Sequence, residues 1–232
     1  MNPKPRAELI RPEITELPPL TRRRKVARRL IIWLLRALVR LCTRTKVTGV
    51  ENVPPTGGVI MAANHLGDAD VVIGLAFTPR EADLFAKAEL YDYPVLGKIF
   101  EMYGVIWVHR GFPDRRALRA AMEGLAEGRA IGIAPEGRES LSGALEEGTG
   151  GAAYLALKGE VPVVPITFTG TENTHLYGNL KRLRRTEITM TIGVPFRLEK
   201  LSDRRKALEK GTEAIMSALA QQLPEHYRGV YR

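Results

Sequence analysis

With one cysteine, Cys42, in 232 residues, the chain can form no internal disulfide and no cysteine-built metal cluster, which fits a reducing compartment. Long apolar runs are scarce near the N-terminus, where the longest, Leu30 to Leu35, is six residues and a bilayer-spanning helix needs about 20. Acidic residues are missing from 21–46, which hold ten Lys or Arg. No repeat or low-complexity tract is present. A secretory signal is disfavoured as well: Arg interrupts the apolar stretch, no small-residue cleavage site follows, and the segment starts about twenty residues in.

The positive charge that is there is confined. Residues 1–46 carry 13 Lys or Arg against three Glu, leaving 22 basic and 23 acidic side chains for all the rest. The formal +9 therefore belongs to the first fifth of the chain. Positive charge spread over the body, as nucleic-acid binding requires, is not expected.

Composition divides the chain into three parts. Residues 1–20, with five prolines and no apolar period, read as an extended arm. Within 21–46, Val26, Leu30, Trp33, Leu34, Ala37, Leu38 and Leu41 recur at helical spacing, which makes a basic amphipathic helix. Three environments suit such a helix: a membrane surface, the protein's own body, or nucleic acid. Its Leu, Ile and Trp content favours the membrane, with Trp33 and the leucines at the acyl boundary and Arg28, Arg29, Arg36 and Arg40 among anionic headgroups. Residues 47–232 are long enough for one globular domain.

In that domain strands and helices alternate. Apolar runs predict strands at 46–50, 59–63, 105–109, 130–134, 162–168 and 187–193, and helical periods fall at 70–77, 94–103, 114–127, 149–158 and 203–222. The pattern predicts a single α/β domain whose mostly parallel or mixed sheet is flanked by helices. Ligands of such sheets collect beyond the C-terminal strand ends. Asn64, His65 and Asp70 follow 59–63. Beyond 105–109 comes Arg110-Gly111, beyond 130–134 Pro135-Glu136-Gly137-Arg138, and beyond 162–168 Thr169-Gly170-Thr171-Glu172.

His65 and Asp70 carry the chemistry. Within one helix a five-residue offset points side chains roughly 140° apart, but across a strand-to-helix turn they can meet. A carboxylate accepting the Nδ1 proton leaves Nε2 as a base. Turn-forming Gly67, Asp68 and Asp70 around an ordinary loop histidine are the plain alternative. His109, beside Arg110, reads as structural. Ser140 and Ser142 lack a nucleophile-elbow context, and Asp68 and Asp70 with one His are too sparse for a metal site.

Four stretches in order resemble a known family. They are Asn64-His65 with Asp70, Gly104 to Gly111, Pro135-Glu136-Gly137, and Val161 to Ile166. The chain from about residue 46 resembles the glycerophospholipid acyltransferase superfamily, in particular its bacterial 1-acyl-sn-glycerol-3-phosphate acyltransferases. The resemblance implies that His65 is the general base and Asp70 its orienting carboxylate, that Arg110 binds the acceptor's phosphate, and that Glu136 and Gly137 position its glycerol, with Asn64 and Arg138 alongside. It implies acyl-CoA or acyl carrier protein as donor, a lysophospholipid acceptor and no further cofactor. Work at the cytoplasmic face of the cell membrane, by a peripheral or monotopic protein, is the matching expectation. A different lysolipid or glycolipid acceptor, or a non-catalytic membrane-binding relative, are the alternatives.

The third stretch departs from the family pattern Phe-Pro-Glu-Gly-Thr-Arg-Ser. Arg138 stands one place early and Glu139 takes the expected Arg position, which in an extended loop reverses the direction of the side chain. Gly67 stands where many relatives carry Ser. Oxyanion donors are expected from backbone N–H groups at the turn beyond His65 or at a helix start.

Overall fold

A computed structural model describes residues 12–109 and 114–232. Its centre is a seven-stranded sheet in the order β1-β7-β6-β2-β5-β3-β4. The strands are β1 (Thr43–Thr48), β2 (Val59–Ala63), β3 (Ala82–Lys87), β4 (Ile106–Val108), β5 (Ala130–Ile133), β6 (Val163–Thr169) and β7 (Thr186–Ile192). From β6 to β4 all neighbours are parallel, while β7 runs antiparallel to β6 and β1 runs parallel to β7. The sheet is therefore mixed and mostly parallel.

The helices are α1 (Arg22–Cys42), α2 (Ala69–Phe77), α3 (Leu96–Tyr103), α4 (Arg115–Ala126), α5 (Gly151–Gly159), α6 (Asn173–Lys181) and α7 (Arg204–Gln222). Both faces of β2 are covered, as a central parallel strand requires. Ile60 and Ala62 join residues of α4, α5 and α7, whereas Val59 and Met61 join residues of α1, α2 and α6. This sandwich leaves the ends of β2, β5 and β6 as the places where polar side chains can emerge.

Two elements lie outside the sequence expectations. β3 carries Asp83 inside the strand and ends in Lys87, and α6 is polar with Gly178 near its centre, so neither shows a clean period. Another difference concerns the 21–46 segment. It is helical only to Cys42; Thr43 donates from Oγ1 to the Val39 carbonyl at 2.7 Å and opens β1, so residues 43–46 belong to the sheet. Residues 12–20 are not a detached arm either. Thr15 is buried, Leu17 packs on the core, and the carbonyls of Pro18 and Pro19 accept from Arg129 and Arg24.

α1 has two apolar faces. Ile31, Ile32, Leu35 and Val39 pack against the body, while Val26, Leu30, Trp33, Leu34, Leu38 and Leu41 stay exposed, Trp33 at 64% and Leu41 at 74%. The expectation that Arg28 lies among headgroups is corrected: it is buried at 2% exposure. Its guanidinium meets Asp83 at 2.5 Å and donates to the carbonyls of Tyr103 and Gly104. Asp83 also pairs with Arg129 at 3.2 Å. Arg36 likewise turns inward, donating to the Ala76 carbonyl at the end of α2.

A carboxylate held between two guanidiniums is costly to remove, because Arg28 then stays buried without its anion and Arg129 keeps only Glu127. Asp83→Ala is expected to lower unfolding free energy by about 3–5 kcal/mol, measured by urea denaturation; a loss below about 1 kcal/mol would show that the triad does not hold α1.

Candidate active site

The site grows from the end of β2. Asn64 is 1% exposed, and both ends of its amide bond the neighbouring strand: Nδ2 donates to the Phe168 carbonyl at 3.0 Å and Oδ1 accepts the Phe168 N–H at 2.8 Å. It stitches β2 to β6 at the point where the chain leaves the sheet.

The next residue turns outward. His65 Nδ1 lies 3.0 Å from Asp70 Oδ2, across the strand-to-helix bend, with Asp70 in the first turn of α2. That oxygen also accepts the N–H groups of Leu66 at 2.6 Å and Gly67 at 2.9 Å. One carboxylate oxygen thus closes the turn and receives the imidazole. The Asp70 side chain is 4% exposed and that of His65 19%. With Asp70 accepting at Nδ1, the neutral ring carries its basic lone pair on Nε2.

Gly67 sits in a close approach that explains its identity. A Cβ there would lie 2.5 Å from the Thr171 carbonyl and 2.8 Å from Asn173 Oδ1, so the loop after β6 presses directly on this turn. Four backbone N–H groups at the bend are engaged within the protein: Leu66 and Gly67 donate to Asp70, Asp68 donates to Asn173 Oδ1, and Asp70 donates to the Gly67 carbonyl.

The loop after β5 joins from the other side. Glu136, 6% exposed, accepts the His65 N–H on Oε1 at 3.3 Å and the Glu146 N–H on Oε2 at 2.8 Å. Ser140 returns the contact by donating its N–H to the His65 carbonyl at 2.7 Å. Burial pushes the Glu136 carboxyl above the usual carboxylate range, opposed by the N–H groups of Glu146 and His65. Gly137 follows with φ +75°, a left-handed turn conformation that favours glycine.

Arg138 pairs with Glu146 at 2.7 Å. Together with Glu136, His226 and Arg232 it lines an open cavity of 670 Å³, so the shifted arginine faces the C-terminal segment. Glu139, at the expected Arg position, accepts from Asn173 Nδ2 at 2.8 Å. Arg110 lies outside the described residues. Its neighbour His109 is buried, 3.0 Å from Asp114 Oδ2, in a pair with the same five-residue offset as His65 and Asp70. Burial pushes the Asp114 carboxyl up, but hydrogen bonds from His109 and from the first turn of α4 outweigh it and hold the group below its ordinary range. Asp114 also caps α4, its Oδ1 accepting the N–H groups of Arg116 and Ala117.

Asn173 and Tyr177, both on the unexpected α6, complete the rim, Tyr177 donating to Asp68 Oδ2 at 2.9 Å. Only the turn signal Thr169-Gly170-Thr171 pointed to this region.

Replacing Asn64 by Leu keeps the branched four-atom side-chain skeleton and strands the Phe168 N–H and carbonyl in the core. Asn64→Leu is expected to cost about 2–4 kcal/mol in urea unfolding; a variant as stable as the wild type would show that this amide does not hold the two strands together.

Comparison with known proteins places this geometry. The sequence profile of the acyltransferase family matches residues 44–169. A 1-acyl-sn-glycerol-3-phosphate acyltransferase of Borreliella burgdorferi is 31% identical over 134 residues, 55% of this chain and 52% of the relative. One of the same name from Bacillus subtilis is 30% identical over 138 residues, 59% of this chain and 68% of the relative. The chain thus spans about half the length of the first and two thirds of the second. The crystal structure of the 1-acyl-sn-glycerophosphate acyltransferase PlsC from Thermotoga maritima matches with a TM-score of 0.65 over 88% of this chain and 84% of that one, at 24% identity, a likeness of fold. Because the matched stretch takes in the His65–Asp70 bend and the Pro135–Gly137 loop and covers more than half the sequence, the chain belongs to the acyltransferase family.

Proposed function

We propose that this chain transfers a fatty acyl group from an acyl thioester, acyl-CoA or acyl carrier protein, to the free hydroxyl of 1-acyl-glycerol-3-phosphate, making phosphatidic acid at the cytoplasmic face of the cell membrane. The reading rests above all on the 3.0 Å contact between His65 and Asp70 at the end of the central strand, in a chain of this family. Two named relatives carry the same activity in their names.

In this mechanism His65 Nε2 takes the proton of the acceptor hydroxyl as its oxygen attacks the thioester carbonyl. The tetrahedral intermediate collapses, the C–S bond breaks, and the imidazolium returns the proton to the departing thiolate. A poised base contributes about 10²–10⁴-fold to such a step. Asp70 acts through His65 by holding the Nδ1 tautomer. Glu136 acts as a positioning residue, since its oxygens hold the backbone of His65 and Glu146. Arg110 is assigned the acceptor's phosphate on the strength of the family resemblance, a guanidinium fork being suited to a tetrahedral anion.

The acceptor lives in a bilayer, and the outward apolar face of α1 suits that setting. Trp33, Leu34, Leu38 and Leu41 would enter the acyl boundary while Arg22, Arg23, Lys25 and Arg29, all exposed, meet anionic headgroups. No helix among the described residues is long and apolar enough to cross a membrane.

A second reading, an acceptor other than lysophosphatidic acid, is favoured by one observation. The two charged side chains at the departing positions are turned to Glu146 and Asn173.

Purified protein given radiolabelled acyl donor and a panel of lysolipids tests both readings. His65→Ala is expected to lower kcat at least about 10²-fold, and Asp70→Asn to lower kcat with little change in KM; equal turnover by wild type and His65→Ala removes the base assignment. Trp33→Glu/Leu34→Glu is expected to release the protein from anionic vesicles in a flotation assay, and undiminished flotation would take α1 out of membrane docking.

A further inference from the structure

A second surface beside α1 has the chemistry of a lipid contact. An open cavity of 370 Å³ lies where the last turn of α1, the edge strand β1, the end of α2 and the loop before β7 meet. Four of its lining side chains are cationic, Arg40, Arg44, Lys46 and Arg185, and none is acidic. Phe77 forms an apolar wall, with the Arg40 guanidinium 5.9 Å from its ring centroid. The nearest carboxylate paired with the group is that of Glu187, 3.7 Å from Arg44 with both side chains exposed, an arrangement that neutralises little.

The loop before β7 is fixed to the helix. Arg185 donates from Nε to the Thr43 carbonyl at 3.0 Å and from Nη2 to the Arg40 carbonyl at 2.6 Å, satisfying groups at the helix end. Two residues earlier stands Leu183, 97% exposed with φ +52°. Its N–H donates to the Leu180 carbonyl and the Arg184 N–H to that of Asn179. This is the helix ending whose left-handed position usually holds glycine. Leucine there accepts backbone strain and gains no contact with the protein, so its side chain is presented outward between Arg182 and Arg184. Leu38 and Leu41 are exposed on the last turns of α1, the helix whose Arg40 lines the cavity.

We infer that this basic cavity and the Leu183 loop form a second membrane-docking site, which takes the phosphate of an anionic phospholipid headgroup while Leu183, Leu38 and Leu41 enter the acyl boundary beside it. Cations in a concave site with leucines at its margins match a molecule that is anionic at one end and apolar at the other. An acidic protein surface would satisfy the arginines and leave the leucines in water. The inference rests on the reading of α1 as a membrane-surface helix, and it adds contacts from β1 and the loop before β7.

Binding of the full chain to vesicles of phosphatidylcholine alone, or mixed with phosphatidylglycerol, tests it without recourse to acyl transfer. Arg44→Gln/Lys46→Gln is expected to weaken binding to the anionic vesicles roughly thirtyfold and to leave binding to the neutral ones unchanged. Leu183→Gly relieves the left-handed strain, so its Tm should equal or exceed that of the wild type, while its affinity for both vesicle types falls roughly tenfold. An unchanged anionic-to-neutral affinity ratio in the double variant overturns the headgroup site, as does full competition by inorganic phosphate, which would mark a soluble anion as the occupant. Loss of binding to an acidic carrier protein, with vesicle binding intact, assigns the surface to a protein and overturns it too. If Trp33→Glu/Leu34→Glu abolishes vesicle binding while the other variants bind like wild type, the second site is refuted and the α1 reading stands; a wild type that ignores vesicles refutes both.

Discussion

Asp70 Oδ2 is the point on which the site turns. It accepts from His65, Leu66 and Gly67 at once, so the same oxygen that orients the imidazole also ends the strand and starts the helix. Had the carboxylate served the ring alone, any neighbouring acid could have replaced it. Because it also satisfies two backbone donors at a buried bend, a shorter or neutral side chain would disturb the path of the chain and the direction of the ring together.

Around that bend the loops from neighbouring strands are tied to one another by their backbones. Glu136 reaches the His65 N–H, Ser140 reaches the His65 carbonyl, and Thr171 lies against Gly67. The histidine's main chain is thus gripped on both its polar groups by the loop after β5. The parallel order β6-β2-β5 supplies this geometry by bringing those loops to one edge. A long reach from a distant element is unnecessary.

Much of this was legible in residue order. The apolar runs marked β2, β5 and β6, and polar groups placed directly after them had only one edge to occupy. Less legible was the partner of each polar group. Asn64 looked as available as His65, yet its amide is spent on Phe168; nothing in the local sequence shows a contact with a strand a hundred residues away. β3 was hidden by Asp83, whose charge argues against a buried strand until Arg28 and Arg129 are known to flank it. Conversely, Arg28 read as one more basic residue of an amphipathic helix. Two opposed apolar faces on α1, one for the body and one turned outward, blur the periodicity that would separate them.

The junction between α1 and the sheet carries a mechanical meaning. Helix gives way to strand between Cys42 and Thr43 with no intervening linker, and Arg28 pins the earlier turns to β3. The helix is therefore tied to the sheet at two points along its length. Whatever surface the outer face of α1 settles on, the tilt of β2, and with it the height of His65 above that surface, is set at the moment of contact.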